Sequence, residues 1–291
     1  MEPSGSSHWV HNLDPVIIQF TETLAIRWYG LAYVAGFLVG FGLLALYWKR
    51  RRSLVNPQMQ ESLAIAIILG VVIGGRLGYF LMYEFRNFLG DPLVFFRVWE
   101  GGMASHGGFL GVAVAGLWAA RKYQINPLYL GDLIASGTPP GILFGRLANF
   151  INGELWGKVS DVPWAVVFPH SSVPGMPIQF IPPRHPSQLY EAALEGLLLL
   201  VYVQWRFWRV PGRLPLIPKP ANPSARPGHL MAEFLIGYSI VRWIGESFRE
   251  PDAALILGIS RGSFYSIFLL IAGISFLYWI RRGQLTKPQS Q

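Results

Sequence analysis

Arg146, Asn149, Asn152 and Glu154 crowd into GRLANFINGELWG (145–157), at the end of an apolar run from Leu130 to Phe150. Guanidinium groups grip phosphate oxygens through paired, charge-assisted hydrogen bonds. A second polar stripe lies far away in sequence. Arg242, Gly245, Glu246 and Arg249 are spaced i, i+3, i+4 and i+7 and so share one helix face. Two arginines on different helices near one membrane surface suit an anionic headgroup. The third constellation is His106 in GGMASHGGFLG (101–111), an imidazole between glycine pairs. Histidine is a general base near neutral pH, and the glycines let a substrate or another helix come close. Each feature has a plainer alternative. The arginines could be held in interhelical ion pairs, and His106 could be satisfied by a backbone or carboxylate hydrogen bond.

The elements that position these residues follow from composition. The chain has 291 residues, 52% of them hydrophobic and only 14% charged, where soluble chains carry roughly 25%. This predicts an all-α integral membrane protein. A span needs roughly 20 mostly apolar residues. Seven runs qualify in whole or part: 25–47, 61–82, 106–120, 129–150, 187–206, 229–249 and 261–280. The fold expected is a polytopic bundle of about seven transmembrane helices with a small extracytoplasmic (periplasmic) cap. The first run is too long for a signal core and ends in KRRR, so no cleaved leader is expected. Fourteen of the 24 Lys and Arg fall at alternate span ends: Lys49–Arg52, Arg121–Lys122, the group from Arg206 to Arg226, and Arg281, Arg282 and Lys287. Basic residues favour the cytoplasmic side. The N-terminus is therefore expected outside and the C-terminus inside, with segments 1–24, 83–105 and 151–186 outside and a Pro-rich loop, 207–228, in the cytoplasm. The net charge of +8 reflects this topology, and no nucleic-acid partner is expected.

Further residues are read as structural. Asp132, Glu195 and Glu233 are expected in interhelical salt bridges, because charges in a span face the bundle interior. Gln188, Glu191 and Glu195 form one stripe. Glycines four apart (Gly36/Gly40, Gly70/Gly74/Gly78, Gly137/Gly141/Gly145) predict close helix packing. Pro139–Pro140 should interrupt the fourth run. His8, His11, His170 and His229 are read as surface or interfacial, and Ser187 as a helix cap. GRLGYFLMYE (75–84) echoes GRLANFINGE (145–154), with Arg76 and Glu84 in register with Arg146 and Glu154. No cysteine is present, so the chain has no thiol nucleophile. With no H-E-x-x-H, P-loop or G-x-S-x-G motif, neither metal nor cofactor is expected. The charges and the broken span also fit a transporter of an anionic substrate or lipid.

GRLANFINGELWG resembles the signature of the prolipoprotein diacylglyceryl transferase family. IRWYGLAY (26–33), GGRLGYFLMYE (74–84), FRVWEGGMASHGG (96–108), RHPSQLYEAALEG (184–196) and VRWIGESFREPD (241–252) follow in the family's order. The resemblance implies transfer of the diacylglyceryl group of phosphatidylglycerol to the thiol of a lipobox cysteine in a prolipoprotein signal peptide. A thioether forms and glycerol phosphate leaves. It implies a bacterial inner-membrane enzyme whose partners are that lipid, that peptide and the surrounding membrane lipids. On this reading Arg146 and Arg242 hold the phosphate and His106 takes the thiol proton. Tyr29, Asn149, Asn152 and Glu154 orient the lipid or the arginines, and Glu246 positions Arg242 or Arg249. Arg76, Gly157, Glu191 and Arg249 complete the substrate-binding set.

Overall fold

A computed structural model describes residues 8–21, 25–97, 101–209, 226–251 and 254–285. Most of the Pro-rich loop, 210–225, lies outside them. The chain is mostly helical, with two small two-stranded sheets. α1 (Trp28–Lys49) and α2 (Pro57–Met82) are followed by a short α3 (Phe85–Gly90), and then by α4 (Ser105–Lys122) and α5 (Pro127–Gly137). Asn56 and Asn126 start α2 and α5: each side chain accepts a backbone N–H of the first turn, ahead of a proline at the first helical position. The fourth apolar run is two helices, because α6 (Pro139–Ile151) restarts on its proline pair. α7 (Ser187–Glu191) runs through a π-helical stretch, Ala192–Leu198, into α8 (Leu199–Arg209). α9 (His229–Phe248) and α10 (Arg261–Leu285) complete the bundle. Three segments, Trp28–Lys49, Pro57–Leu81 and Arg261–Arg282, are long and apolar enough to cross a membrane. Large apolar side chains such as Leu38, Leu110 and Trp279 point outward, as a lipid-facing surface requires. The protein is a helical membrane protein.

Glycine spacing reports helix contacts at most of the expected positions. A Cβ on Gly36 would lie 2.8 Å from the Cα of Gly141, and one on Gly40 would lie 2.9 Å from the Gly137 carbonyl. α2 and α4 are clasped in the same way, with Gly70, Gly74 and Gly78 against Gly107 and Gly111. Gly107, beside His106, therefore admits a helix. Gly145 differs from expectation, since nothing lies within 4 Å of where its Cβ would be.

The basic helix ends gather at one end of the bundle. Tyr47, Val55, Ala119, Ala120, Tyr129 and Phe207 pack in one buried cluster, next in sequence to Lys49–Arg52, Arg121–Lys122 and Arg206. A Cβ on Gly228 would lie 3.0 Å from Ile280 and 3.2 Å from Leu128, which brings the Arg281–Arg282 end there too. At this end Asp132 forms no salt bridge among the described residues, contrary to expectation. Its carboxylate instead accepts the N–H groups of Gly228 and Met231, both at 2.7 Å, and caps α9 from a different helix. Glu233 does pair as expected, accepting Arg206 Nε and Nη2 at 2.7 and 2.6 Å.

At the other end, residues 152–186 form a compact, largely irregular segment. Val166–Val167 pairs in parallel with Trp9–Val10. His11 and His229 are buried rather than superficial. The N-terminal pairing carries His11 between Phe150 and Phe168. Its Nε2 donates to the Phe150 carbonyl at 2.7 Å, and burial holds its pKa below the ordinary imidazole value. Ser187 is not a cap: its hydroxyl donates to the Leu155 carbonyl at 3.0 Å.

Candidate active site

The predicted polar residues converge at the end opposite the basic clusters. Arg146 comes from α6, Glu191 and Glu195 from the α7–π–α8 rod, and Arg242 and Glu246 from α9, with Arg249 just past its C-terminus. Glu195 Oε2 accepts Arg146 Nε at 3.2 Å and Nη2 at 3.0 Å. Its Oε1 accepts Arg242 Nη1 at 2.9 Å. Glu191 Oε1 accepts the same Nη1 at 3.0 Å and Arg249 Nη1 at 3.5 Å. Glu191 Oε2 faces Arg146 Nη1 at 2.9 Å, an ion contact without hydrogen-bond alignment. Glu246 accepts Arg242 Nη2 one helical turn away. Three guanidinium groups thus meet three carboxylates, and their formal charges cancel. Neutrality is what makes burial tolerable, since an unpaired buried ion costs several kcal/mol.

The cluster is closed around by small residues. A Cβ on Gly245 would touch the Glu191 side chain at 3.2 Å, and one on Gly262 would collide with Glu246 and Arg242. Sequence reasoning missed Gly262, because nothing in RGSFYS marks it. It also read Glu195 only as a salt-bridge residue, whereas Glu195 joins both predicted phosphate-binding arginines. Glu191 and Glu195 are fully buried, while 15% of the Arg146 side chain is exposed. Arg146 is the member of this network that reaches outward.

A second network adjoins it. Asn149 Nδ2 donates to Glu154 Oε1 at 2.8 Å and to the Tyr29 hydroxyl at 3.4 Å. Asn152 Nδ2 reaches the same carboxylate oxygen at 3.4 Å, and Gln188 Nε2 donates to the Glu154 carbonyl at 2.6 Å. The chain turns here through left-handed Gly153 (φ 63°) and Leu155 (φ 59°). A β-carbon at Gly153 would press on the His11 ring at 3.0 Å. The bend is thus held from both sides. Gly157 lies within 2.6 Å, measured from its would-be Cβ, of His185 and within 2.7 Å of the Phe248 carbonyl. Its position is one of close backbone packing.

Arg76 stands apart from both networks. Its guanidinium donates to the carbonyls of Phe95 (3.0 Å), Gly102 (3.2 Å) and Arg97 (3.2 Å), and to those of Val94 and Gly101. All five N–H donors are used on backbone. The echo between Arg76 and Arg146 is one of sequence only, since one holds a loop and the other carboxylates. His106 is the second residue of α4, just after that loop, and Ala104 N–H donates to Gly75 O at 2.9 Å. The His106 side chain is outside the described structure.

A chain with this bundle and this arginine–carboxylate centre has close counterparts. Residues 15–279 match the family model described as prolipoprotein diacylglyceryl transferase. A phosphatidylglycerol–prolipoprotein diacylglyceryl transferase of Idiomarina loihiensis is 43% identical, over 94% of this chain and 95% of its own length. A Vibrio cholerae protein of the same name is 44% identical, over 94% of this chain and 93% of its own. One from Caulobacter vibrioides is 41% identical, over 92% and 93%. Residue types, their order and near-complete coverage agree: this chain belongs to the prolipoprotein diacylglyceryl transferase family.

Proposed function

We propose that this protein transfers the diacylglyceryl group of phosphatidylglycerol to the lipobox cysteine of prolipoproteins at the bacterial inner membrane. One observation carries the chemistry. Arg146 and Arg242, from different helices, sit on one pair of carboxylates, at the bundle end opposite the basic clusters. In this reading α1, α2, α4, α5–α6, α7–α8, α9 and α10 are seven spans. The basic end faces the cytoplasm, the N-terminus and segments 83–105 and 151–186 lie outside, and loop 207–228 lies inside. The carboxylates fix both guanidinium groups in advance, so little reorganisation accompanies charge development.

The lipid phosphate takes Arg146 N–H groups that the glutamates leave over. His106, at the start of α4, accepts the cysteine thiol proton, because thiolate is the effective nucleophile. The sulfur bonds to the glycerol carbon of the diacylglyceryl group. The carbon–oxygen bond to phosphate breaks, its electron pair stays on that oxygen, and glycerol phosphate departs. Tyr29, Asn149, Asn152 and Glu154 hold the wall beside Arg146, and Glu246 holds Arg242.

The test is a mixture of purified protein, phosphatidylglycerol and a lipobox peptide. The peptide should gain the mass of one diacylglyceryl group. No gain, where a known transferase succeeds, would sink the proposal. In the same assay His106→Asn should lower the rate by about 10²–10⁴ near neutral pH; an unchanged rate would remove the base role.

A further inference from the structure

The first turn of α10 meets the arginine–carboxylate centre through a residue that has no side chain. A β-carbon at Gly262 would collide with Glu246 Oε1 and would lie 2.8 Å from Arg242 Nη2. Those are the two groups that meet one turn apart on α9. The turn is fixed in place by contacts of its own. Ser260 Oγ accepts the Ser263 N–H at 3.1 Å, and Ser266 Oγ donates to the Gly262 carbonyl at 2.7 Å. Trp243, next to Arg242 in sequence, donates its Nε1–H to the Ser263 carbonyl at 3.0 Å and ties α9 to the same turn. Helix propensity favours alanine over glycine here. Gly262 has no left-handed backbone angle to account for it either. What the missing side chain provides is close approach.

We infer that Gly262 is a positioning residue of the transfer reaction. Its bare backbone lets the Glu246 carboxylate lie against Arg242 Nη2, and so sets the direction in which the Arg242 fork points. The inference rests on the transferase reading and adds α10 to the elements that build the site. What a β-carbon would meet separates this role from packing. At Gly262 it meets the far ends of two long side chains. They can swing aside at little cost to the fold, but their aim is lost, and a guanidinium stabilises developing charge only while aimed at it. Another glycine of α10 gives the contrast. At Gly273 a β-carbon would lie 2.8 Å from Ile236 Cγ1, 3.0 Å from the Ala232 carbonyl oxygen and 3.2 Å from the Ile236 nitrogen. Backbone cannot swing aside, so the same substitution there strains the contact between α9 and α10. Gly273 is about 16.5 Å along the helix from Gly262, and its strain leaves Arg242 where it was.

The experiment compares Gly262→Ala with Gly273→Ala in full-length protein, by transfer to the lipobox peptide and by melting in detergent. Gly262→Ala should lower kcat at least about tenfold while KM for phosphatidylglycerol changes by less than about threefold, the pattern of an interaction made in the transition state. Its melting temperature should stay within about 2 °C of wild type. Gly273→Ala should do the reverse, melting at least about 4 °C earlier with kcat within about twofold of wild type where it is folded. Wild-type kcat in Gly262→Ala overturns the inference. So does a loss of kcat in both variants in step with their melting, which is what packing alone would give. If Gly262→Ala does not accumulate, Trp243→Phe decides the matter. It keeps a ring but removes the tie to the α10 turn, and should lower kcat about threefold or more at unchanged KM; an unchanged kcat overturns the inference. Absence of transfer by wild type would instead defeat the transferase reading itself.

Discussion

Arg242→Ala is expected to abolish diacylglyceryl transfer and to cost the folded protein about 3–5 kcal/mol, because it leaves buried carboxylates without their cation. Arg242 holds Glu191, Glu195 and Glu246 at once, so its removal upsets a neutral centre as well as the proposed phosphate site. Loss of activity in that variant alone does not separate the two roles. Arg146→Lys does. Lysine keeps the charge opposite Glu195 but loses the planar fork and two of the five N–H donors. The prediction is near wild-type melting behaviour in detergent with transfer reduced by about 10²-fold. Relieving the imbalance in the first case, with Arg242→Ala and Glu246→Gln together, should recover stability and no activity. Turnover close to wild type in Arg146→Lys would show that bidentate contact to phosphate is not needed, and the headgroup clamp would fall.

Arg76→Ala is expected to release residues 94–97 and 101–102 and to lower transfer by at least about tenfold without touching a substrate. Hydrogen bonds from a charged donor contribute about 1.5–3 kcal/mol each, and Arg76 makes five of them to backbone carbonyls. The loop needs this hold. Gly101 and Gly102 both take left-handed backbone angles, φ 80° and 82°, a geometry with high conformational entropy to lose. Immediately beyond it α4 begins with Ser105 and His106. Hydrogen exchange should rise at residues 94–97 and 101–104 and stay unchanged in α9. Arg76→Lys, with three donors and no fork, should fall between wild type and alanine in both readouts. Unaltered exchange in that segment would show that other contacts hold it, and the expected role of Arg76 in binding substrate would regain ground.

The break at Pro139–Pro140 was legible because it is written locally, whereas α2 and α5 start on Asn56–Pro57 and Asn126–Pro127, ahead of the runs expected from 61 and 129. The arginine and glutamate stripes were legible by period. Their pairing was not, since Arg146 and Glu195 are 49 residues apart and meet only when α6 packs on the π-helical stretch. No residue in AALEGLL signals that wider turn. The burial of His11 was hidden for the same reason. A two-residue strand pairs Trp9–Val10 with Val166–Val167 across about half the chain, and such short pairings leave no alternation to read. Arg76 misled because type and spacing matched Arg146, while the carbonyls that surround it depend on a loop conformation.

The cap that Asp132 places on α9 has a consequence for how the chain is joined. α9 takes its first hydrogen-bond acceptor from α5, and Arg206 on α8 grips Glu233 on α9 directly. The start of α9 is therefore fixed by contacts from α5 and α8. The protein is expected to behave as two complementary pieces. Severed within 210–225 and produced together, residues up to 209 and residues from 226 onward should reassemble into one bundle.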